Sequence, residues 1–323
     1  MVAIVKNSAL EFWLKGMERF LGDSVSELRI SRIPAKQRSS GIPYDELEDF
    51  ISRTGLKLPV HIASESFLQR TKRDIYIWHT SVRGDLPGAY VQISENILIS
   101  SPELTFIQVA DDYSLAGAGR LADNLCATYY IDPAAEYLQE KRVPVTNAAA
   151  MRKFADRADN LNGIKAARRA LKYALDNSNS PLETNLAVIA RLPLSEGGFN
   201  ALLMELNGLI KLSASGMRHI GRKSIRCDMV WRTVKVALEY ESTLTHLELN
   251  QHYYDKARYT ALTYSGYKVI TVTAQQLRSY TSIDNLFFSV RKMLGMRPEK
   301  AAFEKYRDKR RQVMNELFFS SRV

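Results

Sequence analysis

The alternation of apolar and polar positions gives the two halves of the chain different rhythms. In the first half, "LEFWLKGMERFLG" carries apolar residues at helical spacing up to Gly22, and "PYDELEDFISRTG" has acids in its first turn and a stop at Gly55. Both are marks of short helices. The opening "MVAIVKNSALEFWLKGMERF" reads as an amphipathic helix, with Lys6, Glu11 and Lys15 set into its apolar stretches. From Pro59 to Ser100 the rhythm shortens to "VHIA", "DIYIWHT", "AYVQI" and "NILIS", separated by Gly, Pro and Asp, which predicts a compact sheet. "SPELTFIQVADDY" then supplies Ser101 as N-cap, Pro102 at the first helical position and Glu103 in the first turn, so a helix starts there. Helix continues through "AGRLADNLCATYY", and residues 133–176 read as largely helical, interrupted near Pro144 and Gly163.

"DNSNSPLE", residues 176–183, is polar and rich in turn formers, and a second domain begins just before it, with 148–176 as a helical bridge. "SPLETNLAVIARLP" repeats the Ser-Pro-x-Glu opening of a helix. Strands follow near 203–212, 225–231, 234–241 and 267–273, with a helix at 248–264 that closes at Gly266. The pattern predicts an α/β chain of the α+β kind. Its expected divisions are an α+β domain with a helical lead-in at 1–145, a mixed sheet flanked by helices at 146–295, and a basic C-terminal helix or tail at 296–323.

Composition narrows the function classes. With 46% hydrophobic and 25% charged residues, the chain is ordinary for a globular protein, and long disorder is not expected. No apolar run approaches the ~20 residues that span a bilayer, so no membrane partner is expected. The two cysteines, Cys126 and Cys227, stand far apart without metal-ligand spacing, which argues against a disulfide framework or a structural zinc site and points to the cytoplasm. A net charge of +10 favours an anionic partner. The basic residues gather in "MRHIGRKSIRC", with Arg218, Arg222, Lys223 and Arg226, and in "EKYRDKRRQ", with Lys305, Arg307, Lys309, Arg310 and Arg311. The second group reads as a solvated helix face.

"CDMVWRTVKVALEYEST", residues 227–243, has the alternation of a β-hairpin but carries Asp228, Glu239 and Glu241 among valines and leucines. A two-residue turn at Arg232 and Thr233 pairs Trp231 with Val234. Cys227, Met229 and Trp231 then share a core face with Val234, Val236, Leu238 and Tyr240. The other face holds Arg226, Asp228, Ala237, Glu239 and Glu241, with Asp228 opposite Ala237 and diagonal to Glu239. Carboxylates so close repel one another unless a cation or basic neighbours compensate, and Mg²⁺ takes this type of oxygen donor. The plainer alternative is a hairpin with one solvated face, its acids balanced by Arg226, Arg232 and Lys235.

Asp228, ten intervening residues and then Glu239-Tyr240-Glu241 resemble the PD-(D/E)XK nuclease core. More closely, "RCDMVWRTVKVALEYES", a nearby His, "DKAR" and "LTYSGYKVITVT" resemble the small endonuclease-like domains of unknown function that are related to the very-short-patch-repair endonucleases. The resemblance covers about residues 165–280 and implies a restriction-endonuclease-like mixed sheet. It matches "SPLE" with Glu183, Arg226 and Asp228, Glu239 and Glu241, His246, Asp255 and Arg258, and Gly266, Tyr267 and Val269. It departs where Glu241 stands in place of the wider superfamily's lysine, and where Glu241-Ser242 replaces an Asp-Gly.

The resemblance implies metal-dependent phosphodiester hydrolysis on nucleic acid, taken as double-stranded DNA, in phage defence or mobile-element biology. Asp228, Glu239 and Glu183 would hold Mg²⁺ or Mn²⁺, Glu241 would complete the shell, and His246 or His252 would move a proton. Arg222, Lys223 and Arg226 would contact the nucleic acid, and Arg258 would either bind a phosphate or form an ion pair. A fainter resemblance links "LPVHIASESFLQR", "IYIWHT" and "ISENILISSPELTFIQVADDYSL" to antitoxins of the abortive-infection type IV toxin–antitoxin class. It implies DNA binding and a toxin or a second copy of the chain as partner. The alternative function is therefore a DNA-binding regulator whose nuclease fold does not cut.

Overall fold

The structure, a computed structural model, describes residues 1–21, 25, 27–30, 42–64, 74–79, 86–131, 139–241 and 249–319. The chain forms two compact units, Met1–Ala174 and Leu175–Val323, each mixed in helix and sheet. Among the described residues, no helix is long and apolar enough to cross a membrane.

The first unit opens with a strand, β1 (Val2–Ile4), before helix α1 (Lys6–Leu14). The sequence reading placed residues 2–4 in the helix. Their run of apolar side chains is buried on both faces of a sheet, and such a run carries no period that separates strand from helix. Lys6 turns the chain into α1 with a φ of 50°. β1 pairs in parallel with β6 and antiparallel with β3, at the centre of a sheet ordered β2-β5-β6-β1-β3-β4. The other strands are β2 (Arg29–Ile30), β3 (Val60–Ala63), β4 (Tyr76–His79), β5 (Tyr90–Gln92) and β6 (Ile97–Ser100). Helix α2 (Tyr44–Thr54) ends at Gly55 in the left-handed region, as its composition predicts.

Helix α3 (Pro102–Val109) starts where the capping residues place it, with the Ser101 hydroxyl accepting from the Leu104 amide. Helix α4 (Leu115–Leu125) stops at Cys126. Of the "TYY" expected as its continuation, Tyr129 and Tyr130 instead open strand β7 (Tyr129–Ile131), paired with β8 (Gln139–Lys141). Helices α5 (Ala148–Arg157) and α6 (Ile164–Leu171) belong to this unit, so the division at 145/146 moves to 174/175. The cause is their apolar faces: Met151, Phe154, Ala167 and Leu171 complete one core with Phe106, Ile107 and Leu121. Gly163 admits the α6 start, because an added Cβ would lie 2.0 Å from the Ile107 carbonyl oxygen.

The second unit begins with helix α7 (Pro181–Arg191), then strand β9 (Glu205–Lys211), helix α8 (Ala214–Ile220), and strands β10 (Ser224–Trp231) and β11 (Val236–Glu241). Helix α9 (Leu249–Tyr264) leads to β12 (Lys268–Thr273). The sheet runs β12-β11-β10-β9, antiparallel except for the β11–β12 pair. A parallel pair needs a long crossover, and α9 supplies it.

Helices α10 (Tyr280–Met293), α11 (Lys300–Lys305) and α12 (Arg307–Met314) close the unit. The basic tail is a solvated face at Lys305, Arg307, Lys309 and Arg311, but Arg310 is buried. Its guanidinium donates to Asp284 at 2.7 Å and to the Phe303 carbonyl at 3.1 Å, so the segment expected as a separate tail packs into the second unit.

Candidate functional site

The hairpin turn is longer than its two-residue reading. A two-residue turn with the right twist needs left-handed backbone, supplied by Gly or Asn, and Arg232-Thr233 has neither. A short 3-10 turn over Arg232–Val234 instead brings Lys235 to a φ of 50°. Trp231 pairs with Val236 and Met229 with Leu238. The same register sets Asp228 opposite Glu239, not Ala237.

The alternation of β10 also breaks at this point. Cys227 shares an apolar cluster with Val230 and Ala237, beneath Ala261 and Leu262 of α9, although simple alternation puts it on the face of Met229 and Trp231. The residue of β9 in register with Asp228 is Asn207, whose φ is 51°. A side-switching pair of this kind re-aims neighbouring side chains. It brings Cys227 and Glu239 to the same side, where burial first and then the Glu239 charge push the thiol up.

Glu183 arrives from the first turn of α7. The Ser180 hydroxyl accepts from the Glu183 amide at 3.2 Å and donates to its carboxylate at 3.1 Å, and the Asn179 amide donates to the same carboxylate at 3.0 Å. This is a helix-capping arrangement. Asn207 Nδ2 adds a fourth contact at 2.8 Å, and the Asn207 carbonyl accepts from Arg226 at 2.7 Å. Asn207 was not among the expected site residues. Its signal was an Asn-Gly pair inside an otherwise strand-like run, a mark of irregular backbone.

Asp228 Oδ2 accepts from the Tyr240 amide at 2.6 Å. Burial and the charges of Glu183 and Glu239 push its carboxyl up to about 8, against the opposing pull of the Tyr240 amide and Arg258. Burial raises Glu183 as well, with its hydrogen bonds working the other way and Glu239 adding to the rise. Glu239 Oε1 accepts from Arg258 Nη2 at 2.6 Å. Arg258 also donates to the Arg226 carbonyl at 2.9 Å. Burial opposes the Arg258 charge, but Glu239 outweighs it and holds the guanidinium above its ordinary range.

Three of the four expected acids, Glu183, Asp228 and Glu239, thus act on one another. Glu241 lies two residues further along β11, paired with Thr273, and the strongest charges on Asp228 are those of Glu183 and Glu239. Of the expected nucleic-acid contacts, Arg222 and Lys223 are exposed beyond α8, with Arg222 over the Tyr254 ring at 5.2 Å. Arg258 is built into the acidic site, Arg226 stays exposed at its edge with its guanidinium on the Asn207 carbonyl, and Arg232 pairs with Glu205 at 2.6 Å instead of balancing Asp228. His246 lies outside the described residues, as does the side chain of His252.

Among the described residues, no three His, Cys, Asp or Glu side chains form a preassembled metal cage. Asp228, Glu239 and Glu183 are the side chains that could hold Mg²⁺ or Mn²⁺. These hard cations need only one or two carboxylates beside water and phosphate, and mutually repelling buried acids are relieved by a cation. Compared with family models, with curated proteins and with solved structures, the chain matches none.

Proposed function

We propose that the second unit hydrolyses phosphodiester bonds in DNA with a divalent cation held by Asp228, Glu239 and Glu183. The observation that carries this reading is the convergence of three carboxylates from α7, β10 and β11 beside a half-buried arginine. The order of α7, the three antiparallel strands, α9 and β12 supports it, because the endonuclease-like resemblance calls for its acids and its arginine on elements in that sequence. A bound cation would supply polarisation of a phosphate oxygen and a more acidic water.

The chain's own residues set the stage. Ser180 and Asn207 fix Glu183, the Tyr240 amide fixes Asp228, and Arg258 balances Glu239. Exposed Arg222, Lys223 and Arg226 would track the DNA backbone, so affinity should fall steeply with salt. Cleavage of supercoiled plasmid with Mg²⁺ or Mn²⁺ tests the proposal: wild type should nick it, and Asp228→Ala and Glu239→Ala should not. Equal activity in all three proteins would remove these residues from the reaction.

A second reading, a DNA-binding regulator that does not cut, is favoured by the Arg258–Glu239 ion pair, which engages the carboxylate a metal would need. It predicts DNA retention in chelator without cleavage in Mn²⁺.

A further inference from the structure

The first unit contains a cavity of about 1030 Å³, at the upper end of the ~300–1,000 Å³ of small-molecule sites. Six basic side chains line it: Arg19, Arg29, Lys141, Arg142, Lys153 and Arg157. Only two lining residues are acidic, and both are engaged internally. Glu103 is buried and takes both terminal nitrogens of Arg29 at 2.9 Å, as well as the Thr146 hydroxyl. Glu18 pairs with Arg142 through one carboxylate oxygen at 3.4 Å, while its other oxygen is buried without a hydrogen-bond partner. The lining therefore keeps an excess of four positive charges.

The most buried of these cations is incompletely satisfied. The Arg142 side chain is 5% exposed, and it bonds the Asn124 carbonyl at 2.8 Å, yet its Nε has no hydrogen-bond partner. Burial pulls its guanidinium down and Glu18 only partly restores it. At the rim, Lys141, Lys153 and Arg157 are exposed and form no ion pair among the described residues. Like charges held together without counterions raise the local potential and draw anions.

The walls add an aromatic surface. Tyr130 lines the cavity, and Gly16 lets its ring approach, since an added Cβ would lie 2.6 Å from it. The ring is only 8% exposed, with the Arg19 guanidinium 5.2 Å from its centroid, so it walls the cavity without an open stacking face, and Asn147 marks the N-terminus of α5 at the same wall. A bare phosphate would leave most of this volume empty.

We propose that this cavity binds a phosphate-bearing small molecule of nucleotide size, with Lys141, Lys153 and Arg157 meeting the phosphate. The test uses the full chain in chelator, so that the acidic site of the second unit takes no part. AMP, ATP, adenosine, inorganic phosphate and a short single strand of DNA are titrated by calorimetry.

AMP or ATP should bind saturably at one site per chain, and adenosine and phosphate at least tenfold more weakly. The double variant Lys153→Glu/Arg157→Glu should lose tenfold or more in affinity. Lys141→Ala, a milder exposed change, should also weaken binding, and covers the case in which the double variant unfolds. Asp228→Ala should bind as wild type does. Absence of saturable nucleotide binding, unchanged affinity in the Lys141 or double variant, adenosine or phosphate binding as tightly as AMP, or binding by the DNA strand alone would each overturn the proposal.

Discussion

Arg258 on α9 and Glu239 on β11 meet at 2.6 Å, with both side chains mostly shielded from water at 25% and 19% exposure. The pair ties the crossover helix to the strand it follows and neutralises one of three crowded acids. Charge-assisted bonds in such settings are worth about 1.5–3 kcal/mol, more than an exposed pair. A double-mutant cycle with Arg258→Ala and Glu239→Ala, read by urea unfolding, should give a coupling of about 1–2 kcal/mol. A coupling near zero would mean that the bridge contributes nothing to holding α9.

A divalent cation should stabilise the protein, and Asp228 should be required. Ligand binding to the native state alone adds about 2.7 kcal/mol at a hundredfold excess over the dissociation constant. Ca²⁺, a hard oxygen-seeking ion, should raise the melting temperature of the wild type and leave Asp228→Asn unchanged. The asparagine retains an acceptor for the Tyr240 amide, so the metal-free variant should melt no lower than wild type. An equal Ca²⁺ effect on both proteins would place the ion elsewhere.

Much of the second unit is legible in the sequence because its elements carry strong local signals. The Ser180 cap, Gly266 and the alternating strands place α7, α9 and β9–β12 to within a few residues. The convergence of Glu183 with Asp228 and Glu239 was legible only through the resemblance, since no period links residue 183 to 228. What periodicity could not supply was the change of sides at Asn207 and Asp228, because a period of two assumes regular backbone on every residue. It also could not place β1, whose three residues are too few to show any period.

A histidine pair in the first unit should make stability depend on pH. His61 Nδ1 lies 3.0 Å from His79 Nε2, with the rings stacked. Burial and the nearby Lys6 charge hold His61 below the ordinary histidine range, with Asp112 pulling the other way. A depressed folded pKa means that the unfolded chain takes up the proton first. The contribution is therefore complete above about pH 6.5, the ordinary value, and is lost as pH falls through the folded value. Unfolding free energies from pH 8 to 5 should decline more steeply for wild type than for His61→Gln, and identical slopes would remove His61 as the cause.

Glu103 illustrates a capping-type residue taken over by tertiary structure. By sequence it is a first-turn acid of α3, a role worth a few tenths of a kcal/mol at a surface. In the fold it is 2% exposed and grips Arg29, 74 residues away, through two bonds of 2.9 Å, with Thr146 as a further donor. Removing one partner of such a pair strands the other charge and costs about 3–5 kcal/mol. Glu103→Ala should therefore destabilise the first unit by that amount, and Arg29→Ala by nearly as much, because either leaves a charge beside the cavity without its partner. The three tryptophans are Trp13, Trp78 and Trp231, so a Trp231→Phe background leaves fluorescence that reports the first unit alone. A loss below about 1 kcal/mol, the level of an exposed ion pair, would show that water reaches Glu103 and that the buried pair does not hold β2 to α3.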